Sequence, residues 1–337
     1  MFRRAELGRP VRDRVELAPL AAVWLLVLAA AAASGWILNS ITFSDADSFA
    51  QAGSIMLSSN WQHTYHDPWL QAGPFEMIVC LVGRTLGGSL RGEAIALNMI
   101  GATALLGVAT VVARSRWKPL AIMTGGALGL GVVSDMWEWG HPSELFIALV
   151  WLLAARAARR NQLLVAGLLV GVSAGFETWG LLGASVLFLL PQLRRTIASG
   201  VVALLAAAGV YAPFALGGDF HMFDLHWAIA GGVPGYVFGQ GQTFSWPMRL
   251  AEALIVVGFG AVLAWRLRRF GASTWIVPAL TSICRLMLDP VRYGYYWDTS
   301  LVLLLIGVAP LLASPRAAAW RVQEWLQKPR PLPALVD

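Results

Sequence analysis

The sequence predicts an all-α protein, a polytopic transmembrane bundle of about ten spans. Three observations predict it. Of 337 residues, 57% are hydrophobic and 13% charged, whereas an ordinary globular domain carries about a quarter charged residues. The apolar residues form blocks, several near the roughly 20 residues that a spanning helix needs. The short connections between blocks alternate between basic and acidic, as loops on opposite sides of a bilayer do. The same observations exclude a disordered chain, a disulfide-stapled secreted fold and a nucleic-acid binder, despite a net charge of +6. Cys80 and Cys284 lie far apart in apolar segments, without ligand spacing, and read as small buried residues.

The first block, Leu17 to Leu38, follows a basic leader at 1–16 with Arg3, Arg4, Arg9, Arg12 and Arg14. It is longer than the roughly 7–15 apolar residues of a signal peptide, so it reads as a retained span. Further spans are expected at about 93–113, 119–134, 143–156, 162–176, 179–192, 196–216, 248–265, 273–289 and 298–313. Residues 73–87 are also apolar, but counting them as a span inverts every later loop. A juxtamembrane or partly inserted helix is preferred there, with an eleventh span as the alternative. The membrane domain ends at 313, and the tail at 314–337 could form a short amphipathic helix over 317–327 with Trp320 and Trp325.

Charge decides orientation. The leader, Arg114/Arg116/Lys118, Arg156/Arg159/Arg160, Arg194/Arg195, Arg266/Arg268/Arg269 and the tail hold 20 of the 25 Lys and Arg residues. The alternate loops hold most of the acids. Both termini are therefore expected in the cytoplasm and the acidic loops outside a plasma membrane.

Two of those outer loops, 42–72 and 217–247, are long, and long ordered loops tend to be functional. The first opens FSDADSF, with Asp45 and Asp47 just beyond the first span. Ser44 can cap a following helix with Asp47 as its partner. The functional reading is a carboxylate held at the membrane surface as a general base. Further on, His63, His66 and Asp67 could form a metal site, but Trp61, Tyr65 and Trp69 favour an aromatic belt or a sugar-stacking surface.

The segment SDMWEWGHPSE places Asp135, Glu138, His141 and Glu144 within eleven residues. Pro142, Ser143 and Glu144 suit a helix start, yet the polar equipment exceeds what a cap needs. Glu177 occupies the turn GFETWG, and the second long loop supplies His221, Asp224 and His226 before a Gly-rich aromatic stretch. That loop suits a lid over a lipid or sugar, or a plain connector. Arg285 interrupts an apolar span four residues before Asp289, and Tyr295 and Tyr296 follow in RYGYYWD. An arginine within a membrane helix is costly, so it is paired or functional. Arg84, Arg91, Arg249, Arg285 and Arg292 are the basic residues expected outside, hence the candidates there to hold a phosphate.

A basic amino end, one span, an outer loop opening on DAD and a polytopic apolar remainder resemble the GT-C glycosyltransferases. More narrowly, WGHPSELFIALVWLLAARAARRNQLLVAGLLVGVSAGFETWGLL is similar to the pattern of actinobacterial relatives of glycosyltransferase family 87, as are QAGPFE at 71–76 and YYWDTSLVLLL at 295–305. That family includes polyprenyl-phosphate-mannose-dependent mannosyltransferases. The resemblance implies a GT-C-like bundle and inverting transfer of a sugar from a polyprenyl-phosphate donor to an acceptor hydroxyl on the outer face. It implies a base at Asp45 or Asp47 and a site mouth lined by His141 and Glu144.

Under this reading Arg285 and Arg292 hold the donor phosphate, and Glu177, Tyr295 and Tyr296 complete the substrate contacts. The expected partners are the lipid-linked donor and membrane lipids; no cofactor is expected, and a divalent metal is not favoured. The sequence departs from the family at Glu177, where a Lys is expected before the Trp. A lipid or solute transporter is one alternative, although it predicts ionisable residues deep in the spans and internal repeats. A catalytically altered accessory membrane protein is the other.

Overall fold

The computed structural model describes residues 17–37 and 44–314. The basic leader, residues 38–43 and the tail with its expected amphipathic helix lie outside the described residues. The chain builds α1 (Leu17–Ile37), α2 (Asp45–Met56), α3 (Pro74–Gly87), α4 (Leu90–Ala113), α5 (Trp117–Gly129), a single turn α6 (Asp135–Glu138) and α7 (Ser143–Arg159). There follow α8 (Leu163–Ala174), a 3-10 segment at Thr178–Leu189, α9 (Leu193–Gly217), α10 (Gly232–Phe238), α11 (Trp246–Leu267), α12 (Ser273–Leu288) and α13 (Asp298–Leu312). The described residues contain no strand, only isolated bridges at Ala72–Glu177 and Ala228–Thr243.

The architecture is the expected polytopic helical bundle, and each of the ten expected spans has its own element. Five stretches are each long and apolar enough to cross a membrane: Leu17–Ile37, Leu90–Val112, Leu193–Gly217, Trp246–Leu267 and Gly294–Leu312. The others are shorter, and two differ from expectation. The segment expected at 119–134 stops as a helix at Gly129, because the chain turns through Gly131 at φ +85°. Val132 and Val133 are then buried in the turn itself.

The second difference is the segment after Glu177, which is a 3-10 helix of 12 residues. At a rise of about 2.0 Å per residue it covers about 24 Å, against about 18 Å for an α-helix of the same length. Local contacts hold it that way. The Gly180 carbonyl accepts from Trp151 Nε1 and from Ser173 Oγ, both at 2.8 Å. Gly183 lies so close to the same indole that a Cβ there would sit 2.3 Å from Trp151 Nε1.

Helix α3 is the segment whose role was ambiguous. Its 14 residues reach about 21 Å, short of the roughly 30 Å of a hydrocarbon core. Its first turn carries Glu76, 3.9 Å from His141, and its last turn carries Arg84, 3.1 Å from Asp47. His141 in turn bonds Asp45. The last turn of α3 is thus tied directly to the first turn of α2, and its first turn is tied there through His141.

Charge sorting has a geometric counterpart. At one end of the bundle, Arg159 donates to the carbonyls of Arg268 and Phe270 and to Ser273 Oγ, and Arg268 donates to the Pro191 carbonyl. Three basic connections therefore meet there. At the other end, Gly73 and Phe75 donate backbone bonds to Phe176 and Gly175, gathering the acidic loops.

Candidate active site

A cavity of about 660 Å³ opens at the acidic end, lined from the first turn of α2, the α6–α7 turn, the start of the 3-10 segment, α11, α12 and the second long loop. Ser44 caps α2, its Oγ accepting from Ala46 N–H at 3.2 Å, which sets Asp45 in the first turn. Gly140 brings the α6–α7 turn against it. With φ +78°, and a would-be Cβ 2.2 Å from Ala46 N, that position accommodates only glycine. The close approach delivers His141 Nε2 to Asp45 Oδ2 at 3.1 Å.

Two further carboxyl groups flank the same imidazole. Glu177 Oε1 lies 3.5 Å from His141 Nδ1 and accepts from Ser143 Oγ at 2.7 Å. Its Oε2 accepts from Trp179 Nε1 at 2.6 Å. Glu76 is fully buried, and its Oε1 accepts from Ser143 N–H at 3.3 Å. Neither Glu76 Oε2 nor His141 Nδ1 has a hydrogen-bond partner among the described residues.

Burial opposes charge on His141, but Asp45, Glu177 and Glu76 outweigh it and push the imidazole up to about 10. Burial and the charge of Glu177 hold Glu76 well above the usual carboxylate range. Glu177 also suffers burial, yet His141 and the nearby Arg285 bring it below that range. The cluster thus favours an imidazolium beside an ionised Glu177, with Glu76 held toward its protonated form.

Aromatic rings form the walls. His141 stacks on Tyr295 with centroids 4.5 Å apart, and Tyr295 stacks on Tyr293 at 5.6 Å. Trp69 and Phe49 close one side, Trp227 and Phe244 come from the second long loop, and Trp246 from the start of α11.

Two guanidinium groups face the cavity. Arg285 Nη1 donates to Glu144 Oε1 at 3.0 Å, its Nη2 lies 3.6 Å from Asp289, and its plane sits 3.8 Å from the Trp179 ring centre. Arg249 pairs with Glu252 at 3.2 Å and lies 3.8 Å from Asp289.

Of the residues expected at the site, Asp45, His141, Glu177, Arg285, Tyr295 and Tyr296 line this cavity. Three do not. Asp47 turns away to Arg84 at 3.1 Å. Glu144 is 1% exposed beneath the cavity floor, where Thr299 Oγ1 donates to its Oε2 at 2.6 Å. Arg292 lies outside the lining and donates to the Met287 carbonyl. Sequence reading did not single out Glu76 or Trp179, and Arg249 figured only among the outer cations. The available signal for Glu76 was an acid standing alone in the apolar run PFEMIVCLVG.

The histidine-rich stretch also assembles differently from expectation. Asp67 accepts from Trp69 N–H at 2.9 Å, in a local turn. His66 instead meets Asp219 and His221 from the second long loop. That trio, and the trio of Glu76, His141 and Glu177, each present ligand-type atoms within 4.8 Å of one another.

No protein-family model matches the sequence, and no curated protein does. Among solved structures, the fold is similar to the crystal structure of ArnT from Cupriavidus metallidurans bound to undecaprenyl phosphate. The TM-score is 0.56 at 18% sequence identity, over 92% of this chain and 62% of that one. This chain thus spans less than two thirds of that protein's length. The likeness is one of fold, a polytopic helical bundle.

Proposed function

We propose that the protein is a membrane glycosyltransferase. It would take a sugar from a polyprenyl-phosphate donor and pass it, with inversion, to an acceptor hydroxyl at the outer membrane face. The observation that carries this reading is the cavity itself, which puts the Asp45 carboxylate, stacked aromatic walls and two arginines around one space. The ArnT in the similar structure was bound to undecaprenyl phosphate, which fits a donor of this class.

The volume of about 660 Å³ falls within the roughly 300–1,000 Å³ of small-ligand sites. It suits a sugar phosphate, with the polyprenyl tail left in the bilayer. Asp45 takes the proton from the acceptor hydroxyl, whose oxygen attacks the anomeric carbon. The carbon–oxygen bond to phosphate breaks, and polyprenyl phosphate leaves. Arg249 and Arg285 hold the departing charge. Their short pairs with Glu252 and Glu144 (3.2 and 3.0 Å) anchor them, while their longer contacts to Asp289 (3.8 and 3.6 Å) are those a phosphate displaces. This replaces Arg292 with Arg249 in the phosphate role. The donor sugar in this reading is mannose.

The test is transfer of radiolabelled sugar from polyprenyl-phosphate mannose by the protein in liposomes. Asp45→Asn is expected to lower the rate by about 10²–10⁴-fold, the usual contribution of a general base, and Asp47→Asn to keep most of it. Wild-type rates in Asp45→Asn would sink the base assignment. No turnover of any lipid-phosphate sugar by the folded wild type would sink the reading itself.

A further inference from the structure

Outside the cavity, the two long loops are joined at one place by a histidine–carboxylate cluster. Backbone bonds set it up: Asp219 N–H donates to the Gln62 carbonyl at 2.7 Å, and His221 N–H donates to the Tyr65 carbonyl at 2.9 Å. These bonds bring His66 Nδ1 to Asp219 Oδ2 at 2.5 Å and His221 Nε2 to Asp219 Oδ1 at 2.7 Å. The other nitrogen of His221, Nδ1, meets Asp224 Oδ2 at 2.6 Å. None of these four side chains lines the cavity.

We propose that His66, Asp219 and His221 form a binding site for a divalent transition ion of the zinc class, which clasps the two loops together. Three features point the same way. The ligand atoms converge from two chain segments 153 residues apart, within 4.8 Å of one another. Two imidazole nitrogens and one carboxylate oxygen are a zinc-type donor set, whereas calcium and magnesium take oxygen ligands throughout. Asp224 then performs a known supporting task. Metal-bound histidines almost always donate their second ring N–H to a carboxylate, which fixes the tautomer and orients the ring. His221, held at Nδ1 by Asp224, turns its Nε2 toward the other two ligands. Water completes the coordination, since the cluster lies open to solvent: the His66 and His221 side chains are 70% and 43% exposed.

The ion ties the loop between α2 and α3 to the one between α9 and α11. Those loops also touch nearer the cavity, where Gln71 Nε2 donates to the Met222 carbonyl and Gln71 Oε1 accepts from Trp227 Nε1, both at 3.2 Å. Gln71 and Trp227 line the cavity, so the clasp sets the position of its rim.

The test uses the full chain in detergent, stripped with a chelator and dialysed against zinc, with protein-bound zinc measured by elemental analysis. The wild type is expected to retain a zinc ion that the His66→Ala/His221→Ala double variant loses, and zinc should raise the melting temperature of the wild type alone. A His141→Ala control, which removes the other ligand trio, is expected to keep this zinc. Asp224→Asn should weaken binding by about 10–100-fold, as loss of a supporting carboxylate does. His66→Gln preserves a hydrogen-bond donor to Asp219 while removing the imidazole. If the cluster serves only as hydrogen-bonded ion pairs, that variant melts like the wild type with and without zinc, and the proposal falls. Equal zinc content in the wild type and the folded double variant overturns it as well.

Discussion

At His141 a single imidazole stands among Asp45, Glu76 and Glu177, and its proton sets the charge of the whole cluster. Its folded value of about 10 lies above the ordinary 6.5. The linked stability is therefore fully present below about pH 6.5 and drains away as pH rises through about 10. Glu76, also raised, changes stability in the same direction as pH rises, whereas the lowered Glu177 acts at acid pH, below this window. The melting temperature of the wild type should thus fall more steeply between pH 6.5 and 10 than that of His141→Gln. Parallel curves would contradict the protonated assignment.

His141 and Asp45 were legible in the sequence because both stand in polar clusters beside apolar blocks. Their bond was not, since it spans 96 residues and depends on the left-handed backbone of Gly140. Glu177 read as a departure from the family. Its bonds to Ser143 and Trp179 make it a built part of the cluster, holding the side of His141 that Asp45 does not.

At the scale of elements, α7, α12 and α13 are locked by one buried ion pair. Glu144 accepts from Arg285 on α12 and from Thr299 on α13, and both charged partners are nearly inaccessible, at 1% and 4% exposure. Breaking a buried pair typically costs about 3–5 kcal/mol, an upper figure here because Asp289 still faces Arg285 at 3.6 Å. Glu144→Ala should therefore melt far below the wild type, a result that differential scanning fluorimetry in detergent can check; an unchanged midpoint would contradict the lock. Sequence spacing pointed to Asp289 as the partner of Arg285, because only i,i+4 neighbours are visible that way. The nearer partner, Glu144, lies 141 residues earlier.

The 3-10 segment was equally hidden. An almost uniformly apolar run carries no periodicity to separate one helix type from another. Its geometry follows from the contacts of Gly180 and Gly183 with Trp151. Gly183→Ala must push that indole aside, and overpacking of this kind costs about 1–3 kcal/mol. The same fluorimetry should register the loss.

For the whole molecule, length and charge alternation sufficed to lay out the bundle, because a bilayer imposes a fixed span and a charge bias on any chain that crosses it repeatedly. The geometry sorts the same charges to two ends: Arg159 and Arg268 tie the basic connections together, while the acids gather around the cavity. If the basic end is cytoplasmic, single cysteines at the exposed positions Asn60 and Gln240 should react with an impermeant maleimide on intact cells, and one at Asn161 only after permeabilisation. The reverse pattern would invert the protein and put the cavity inside.

In the proposed function this cavity receives a lipid-phosphate-linked sugar, and Asp45 faces the reacting carbon. An experimental density map of the protein in lipid, loaded with polyprenyl-phosphate mannose, tests it most directly. Phosphate density is expected beside Arg249 and Arg285, with the sugar against the Tyr295 wall and its anomeric carbon facing Asp45. Donor density elsewhere on the bundle, with the cavity filled only by water, would contradict it.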